Sequence, residues 1–120
     1  MTDSSPHAIE IAPFGGRVRI RLGGAIVADS AHAMMLEETG LPSVFYLPRG
    51  DVRMENFSPS ERTSHCPHKG DASYFHLEAG GQRVADAAWS YESPYPIALS
   101  IAGHLAFYPD KVEIETLPFG

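Results

Sequence analysis

The segment RVRIRLGGAIVA, residues 17–28, alternates basic and aliphatic side chains and then reaches two consecutive glycines. Val18, Ile20 and Leu22 fall on one side of the alternation, which has the period of a half-buried β-strand. Gly23-Gly24 is a two-residue turn of the kind that joins antiparallel strands. The segment therefore predicts a β-hairpin.

The rest of the chain is divided into short pieces by ten prolines and eleven glycines, and such pieces favour strands over helices. Residues 72–77 and 82–91 predict a second hairpin around Gly80-Gly81. The segment Ser30–Glu38 fits a short helix or a strand equally well. The remaining predictions are strands at 44–47, 105–108 and 112–117, one or two helical turns at 97–102, and an irregular connection at 56–64. The fold class is mostly β.

The length of 120 residues predicts a single domain, with about residues 1–12 and 118–120 loose at its ends. The chain is 43% hydrophobic and 20% charged, and it has no apolar run of membrane-spanning length. Its first residues lack the cationic start and apolar stretch of a signal peptide. One cysteine fits a reducing compartment. We therefore expect a cytoplasmic protein without a membrane partner.

The formal net charge of -6 disfavours nucleic acid as a partner, because affinity for nucleic acid depends on Lys and Arg neutralising phosphates. Arg17, Arg19 and Arg21 alternate along one predicted strand, where a solvated strand face is the favoured interpretation. A homodimer is left open.

The segment His65 to Asp71 concentrates a thiol, two imidazoles, an ammonium and a carboxylate around a proline turn. A thiol near a cation is stabilised as the nucleophilic thiolate, so Cys66 and Lys69 are the candidate catalytic residues. Lys69 is also a candidate contact for an anionic group. The alternatives are that Cys66 is a small buried apolar residue and that Lys69 points to water.

Ligand counting argues against a metal at this segment, although His65, Cys66 and His68 are suitable zinc ligands. Structural zinc sites usually take four ligands in separated pairs, and this chain has one cysteine. Motifs for phosphate loops and dinucleotide binding are also absent from the sequence. We expect neither a structural metal nor a cofactor.

A second candidate segment, residues 89–95, contains the one tryptophan and two of the five tyrosines. Strand alternation places Trp89 and Tyr91 on one face, where they are either core or the wall of a pocket. Ser90, Glu92 and Ser93 add polar groups beside prolines, and an apolar wall with a few polar groups is typical of a small-molecule site.

Three segments in this order resemble the family called domain of unknown function 427: TSHCPHKGDASYF (63–75), DAAWSYESPYP (86–96) and IAGHLAFYPDKVEI (101–114). The resemblance covers about residues 17–115. The positions that match the family motif are Cys66, Lys69, Gly70, Tyr74, Trp89, Tyr91, Pro94, Phe107 and Tyr108. Members carry an automatic nucleotidyltransferase-like label, which this sequence does not support, because it lacks a phosphate-binding glycine loop and an Asp-x-Asp pair.

The resemblance implies a beta-tent-like fold, in which two antiparallel sheets pack at an angle. Many relatives join the sheets with zinc held by four cysteines, and this chain departs from that pattern. Relatives also use the junction of the sheets as a ligand pocket.

Together these observations predict a small-molecule-binding domain, with enzymatic activity left open. Its predicted ligand-binding residues are an anion-binding lysine and an aromatic wall: Lys69, Tyr74, Trp89, Tyr91 and Tyr95. The alternative is a non-catalytic protein-interaction module that uses the aromatic loop from Trp89 to Tyr95, since Trp and Tyr are common anchors of protein contacts.

Overall fold

The structure, a computed structural model, describes residues 8–120. Over these residues the chain is mostly β, as predicted, with ten strands and three short 3-10 helices. The strands are β1 (Ile9–Pro13), β2 (Gly16–Leu22), β3 (Ala25–Ser30), β4 (Met34–Glu38), β5 (Val44–Tyr46), β6 (Phe57–Cys66), β7 (Gly70–Ala79), β8 (Gln82–Ser90), β9 (Ala106–Phe107) and β10 (Glu113–Pro118). The 3-10 helices are Arg49–Asp51, Met54–Asn56 and Pro96–Ile101. No helix among these residues is long and apolar enough to cross a membrane.

The predicted first hairpin is formed by β2 and β3, which pair antiparallel. Val18, Ile20 and Leu22 are buried, and the arginines between them are partly exposed, so the alternation identified the buried face correctly. The other edge of β2 pairs with β10. We call this three-stranded unit, β10-β2-β3, the arginine sheet.

A second unit, β1-β4-β5, is called the N-terminal sheet. The segment Ser30–Glu38 contains β4, which decides the helix-or-strand ambiguity in favour of a strand. The expectation that residues 1–12 are loose is wrong for the part that falls in β1, because Ile9 to Pro13 pair with β4. The part that concerns residues 1–7 lies outside the described residues.

The third unit, β6-β7-β8-β9, is called the large sheet and contains the predicted second hairpin, β7–β8. The prediction of an irregular connection at residues 56–64 is wrong, because β6 occupies most of that segment. β6 is an edge strand in which most residues are exposed, so its sequence lacks the alternation that marks a half-buried strand. At the other end, Pro118 still pairs with Gly16, so the predicted loose end is ordered there.

The predicted strands at residues 105–108 and 112–117 exist, yet they belong to different sheets. β9 pairs with β8 in the large sheet, and β10 crosses to β2 in the arginine sheet. The segment between them therefore connects two sheets.

Within residues 8–120 the strands form three sheets, whereas the family resemblance implies two. The N-terminal and large sheets come close to forming one sheet, because Leu47 and Leu105 form an isolated bridge with two backbone hydrogen bonds of 2.8 and 2.9 Å. The ladder does not continue past Leu47, because the next residue that could bond to the same partner, Arg49, begins a 3-10 helix. The angle between the sheets that a beta-tent implies stays a prediction.

The large sheet is covered on both faces. Ala106 and Phe107 are neighbours in β9, and neighbours in a strand face opposite sides. Phe107 belongs to a core cluster shared with Ile20 of the arginine sheet, and Ala106 to a second cluster shared with Leu36 of the N-terminal sheet. The large sheet thus has a packed core on each side.

Candidate ligand cavity

Lys69 is held in the tight turn between β6 and β7, where its N–H donates to the Cys66 carbonyl at 3.2 Å. Its ammonium Nζ lies 2.8 Å from Oε1 of Glu38 in β4, and the residue is only 8% exposed. Lys69 Nζ also lies 5.8 Å from the ring centre of Tyr91. The lysine therefore forms a buried ion pair between the large sheet and the N-terminal sheet.

Cys66 is a free, half-buried thiol packed against the second core cluster. The neighbouring His65 imidazole lies 2.7 Å from the Asp71 carboxylate, and both side chains are well exposed. Over residues 8–120 there is no cluster of three or more His, Cys, Asp or Glu side chains that could hold a metal ion. The reactive side chains of the segment from His65 to Asp71 are thus divided between the core and the exposed surface.

Trp89 is the centre of an aromatic group in the second core cluster. Its indole N–H donates to the Tyr46 hydroxyl at 3.1 Å, and its ring lies 4.6 Å from that of Tyr108. The Tyr46 and Tyr91 rings lie 6.4 Å apart. The sequence predicts a buried strand at residues 44–47 but not the contact of Tyr46 with Trp89, since strand patterns say nothing about contacts between sheets.

The phenols of this group are held in their neutral form. Burial, which disfavours the phenolate, raises the pKa values of Tyr46 and Tyr91 well above the ordinary tyrosine value. The pKa of Tyr108 is raised to about 12, chiefly by burial and also by a hydrogen bond with Tyr74. At neutral pH the aromatic group therefore contributes polar but uncharged hydroxyls.

The two remaining predicted residues lie apart. Tyr74 is 7% exposed, and its hydroxyl lies 2.8 Å from Ser64 Oγ. Tyr95 is 43% exposed, and its ring lies 6.2 Å from that of His65. Of the predicted aromatic wall, Trp89, Tyr91 and Tyr74 share the second core cluster, and Tyr95 lies on the surface.

A cavity of about 490 Å³ opens where the three sheets meet. Ile20 comes from the arginine sheet, Phe45 from the N-terminal sheet, and Trp89 from the large sheet. The complete lining is Ile20, Leu41, Pro42, Ser43, Val44, Phe45, Trp89, Phe107, Pro109, Ile114 and Thr116. Trp89 is the one predicted site residue in this lining, which excludes Lys69, Tyr74, Tyr91 and Tyr95.

Most residues of the cavity could not be identified from the sequence, because they come from five separate segments of the chain. Ile20, Val44 and Ile114 have the pattern of strand residues that belong to a core. Only the packing of the three sheets shows that these residues line a cavity and are not packed against other side chains on every side.

The model of the family described as domain of unknown function (DUF427) matches residues 10–117. The chain belongs to the DUF427 family. The DUF427 match includes the whole of β2 to β9 and all but the outermost residues of β1 and β10, so it includes every residue that lines the cavity. Among curated proteins, none matches the chain.

Proposed function

We propose that this DUF427 domain binds a neutral, apolar small molecule in the cavity where its three sheets meet. The proposal rests on the cavity itself, which has both the volume and the apolar lining of a ligand pocket. Its volume of about 490 Å³ lies within the range of about 300–1,000 Å³ common for ligand pockets. The walls are aliphatic and aromatic side chains, with Ser43 and Thr116 as the hydroxyl-bearing residues.

The polarity of the walls supports a neutral ligand. None of the eleven lining residues carries a charge, so a bound anion would lose its hydration without gaining a counter-charge from the lining. The indole N–H of Trp89 is already donated to Tyr46, which leaves the ring as an apolar surface. The same argument weighs against a nucleotide in this cavity, since phosphates need cationic or N–H partners.

The predicted anion contact at Lys69 stays a prediction, and its surroundings weaken it. Lys69 is neutralised by Glu38 at 2.8 Å, so binding of an anion there would require the buried pair to separate. A catalytic role for Cys66 also stays a prediction.

Fluorescence of the one tryptophan provides a direct test, because Trp89 lines the cavity. We would titrate the protein with 1-octanol and, separately, with octanoate, which has the same chain length but carries a charge. The expected result is a saturable change in Trp89 emission with 1-octanol at lower concentration than with octanoate.

A matched pair of variants makes the titration specific. Thr116→Phe places a bulky ring at the cavity, and Thr63→Phe makes the same change at an exposed position of β6 outside the lining. We expect Thr116→Phe to weaken 1-octanol binding at least tenfold and Thr63→Phe to leave it unchanged, with far-UV circular dichroism confirming that both variants fold. Equal binding by the two variants contradicts the proposal. Tighter binding of octanoate that is lost in Lys69→Ala would support the anion site instead.

The alternative of a protein-interaction module is less well supported by the positions of its residues. Tyr91 is 6% exposed and Trp89 is engaged with Tyr46, so Tyr95 is the predicted aromatic that faces solvent. Ile97 and Leu99 are exposed beside it. The interaction surface therefore stays a prediction centred on Tyr95 instead of Trp89.

A further inference from the structure

Two irregularities flank the same short part of β7. The pairing of β6 with β7 shifts register between Pro59 and Thr63, and the pairing of β7 with β8 shifts between Phe75 and Leu77. The second shift accommodates Asp86, the non-glycine residue with positive φ, 50°, among the described residues. Such bulges are frequent where a strand must redirect a side chain.

The backbone of Asp86 is fixed on both sides in this unusual conformation. Its N–H donates to Nδ1 of His76 in β7 at 3.1 Å. Its carbonyl accepts from the Lys111 ammonium at 3.2 Å. Because Nδ1 accepts this bond, the neutral His76 ring must carry its proton on Nε2.

The Asp86 carboxylate is incompletely satisfied. Oδ1 is buried and has no hydrogen-bond partner among the described residues, whereas buried polar atoms nearly always have one. His76 Nδ1 lies 3.8 Å from Oδ1. This nitrogen cannot donate to Oδ1 while it accepts the hydrogen bond from the Asp86 N–H. The other oxygen, Oδ2, lies 4.0 Å from Arg62 of β6.

We propose that this bulge is a proton-responsive switch operated by His76. When the imidazole takes up a proton from water, that proton goes to Nδ1, since Nε2 already carries one. Nδ1 then becomes a donor, so it loses the bond from the Asp86 N–H and donates to Asp86 Oδ1. The bulge loses one of the two bonds that fix its left-handed backbone, and the carboxylate gains its missing donor.

The charged groups around the bulge are the Asp86 carboxylate, Arg62 from β6 and Lys111 from the segment before β10. Both cations also lie over phenol rings, Arg62 over Tyr74 at 4.5 Å and Lys111 over Tyr108 at 5.0 Å. Asp86 precedes Trp89, which lines the cavity, by three residues in β8.

Nuclear magnetic resonance of the whole chain tests the switch without any ligand. Two-bond ¹⁵N correlations report the ring tautomer of His76, and the Asp86 amide reports the bond that it donates. We expect the Nε2–H tautomer of His76 at pH 8. The chemical shift of the Asp86 amide should follow the His76 titration. As His76 becomes protonated, hydrogen exchange of that amide should become at least fivefold faster, beyond the intrinsic effect of pH on exchange.

Two variants separate the switch from general effects of acid. His76→Gln retains an acceptor for the Asp86 N–H but does not titrate, so the pH response of the Asp86 amide should vanish. Asp86→Asn tolerates the left-handed backbone but removes the carboxylate, so the protonated ring should lose the acceptor for its Nδ1–H. The proposal is overturned if His76 has the Nδ1–H tautomer at pH 8, or if the Asp86 amide shift and exchange rate do not change as His76 titrates.

Discussion

Lys69 shows how far a single residue can be interpreted from sequence. Its position in a dense segment of reactive side chains makes it a candidate site residue, but its partner, Glu38, lies 31 residues away in another sheet. Sequence proximity can suggest contacts within a turn, and it cannot suggest contacts across the junction of two sheets. For the same reason the sequence makes Trp89 a candidate but does not predict its hydrogen bond with Tyr46.

Breaking the buried pair should be costly. Lys69→Met removes the buried ammonium that lies 2.8 Å from the Glu38 carboxylate and should lower the free energy of unfolding by up to about 3–5 kcal/mol, while the double variant Glu38→Leu/Lys69→Met should recover much of that loss. Urea denaturation measures both. Arg83→Met, in the exposed Arg83–Glu78 pair, is the control and should change stability by less than about 1 kcal/mol. A Lys69→Met variant as stable as that control would contradict a stabilising pair.

Among the elements, the hairpins were predictable and the unpatterned edge strand was not. The β2–β3 and β7–β8 hairpins follow from alternation and glycine pairs, which are local signals. β6 is polar along both faces, so only its pairing with β7 defines it as a strand. Both β9 and β10 are predicted as strands, but only their pairing partners show that they belong to different sheets.

The two hairpin turns meet tip to tip, which predicts different costs at two adjacent glycines. A Cβ at Gly23 would lie 2.6 Å from the Gly80 carbonyl oxygen, whereas a Cβ at Gly24 would have nothing within 4 Å. Both glycines have positive φ, so each Ala substitution should cost about 1–2 kcal/mol for the left-handed backbone. Gly23→Ala should cost about 1–3 kcal/mol more, because the turns must separate. Thermal unfolding compares them, and equal losses would argue against the contact.

For the whole molecule, the ion pairs of the arginine sheet predict how the free energy of unfolding changes in acid. Hydrogen bonds from Arg17 and Arg21 lower the pKa values of Asp29 and Glu115 below their ordinary values of 3.8 and 4.5. A carboxyl with a lowered pKa in the folded state stabilises the fold above its ordinary pKa, and this contribution is lost as the pH falls through the folded value. Because these side chains are partly exposed, the effect should be modest and weaker in high salt.

Unfolding by urea between pH 6 and pH 2.5 checks this expectation. The free energy of unfolding should stay level down to about pH 4.5 and then fall, with a smaller fall in Arg21→Met, which removes the partner of Glu115. An acid limb identical in Arg21→Met and in the Arg83→Met control would show that the Glu115 pair does not contribute.

The cavity is a property of the whole molecule, since it exists only where all three sheets meet. Its function is tested most directly by nuclear Overhauser contacts between bound 1-octanol and the protein side chains. We expect contacts from the octanol methylene groups to the Trp89 indole and to the methyl groups of Ile20 and Ile114. Contacts confined to the exposed side chains of Ile97 and Leu99 would contradict a ligand cavity and favour a surface for partner binding.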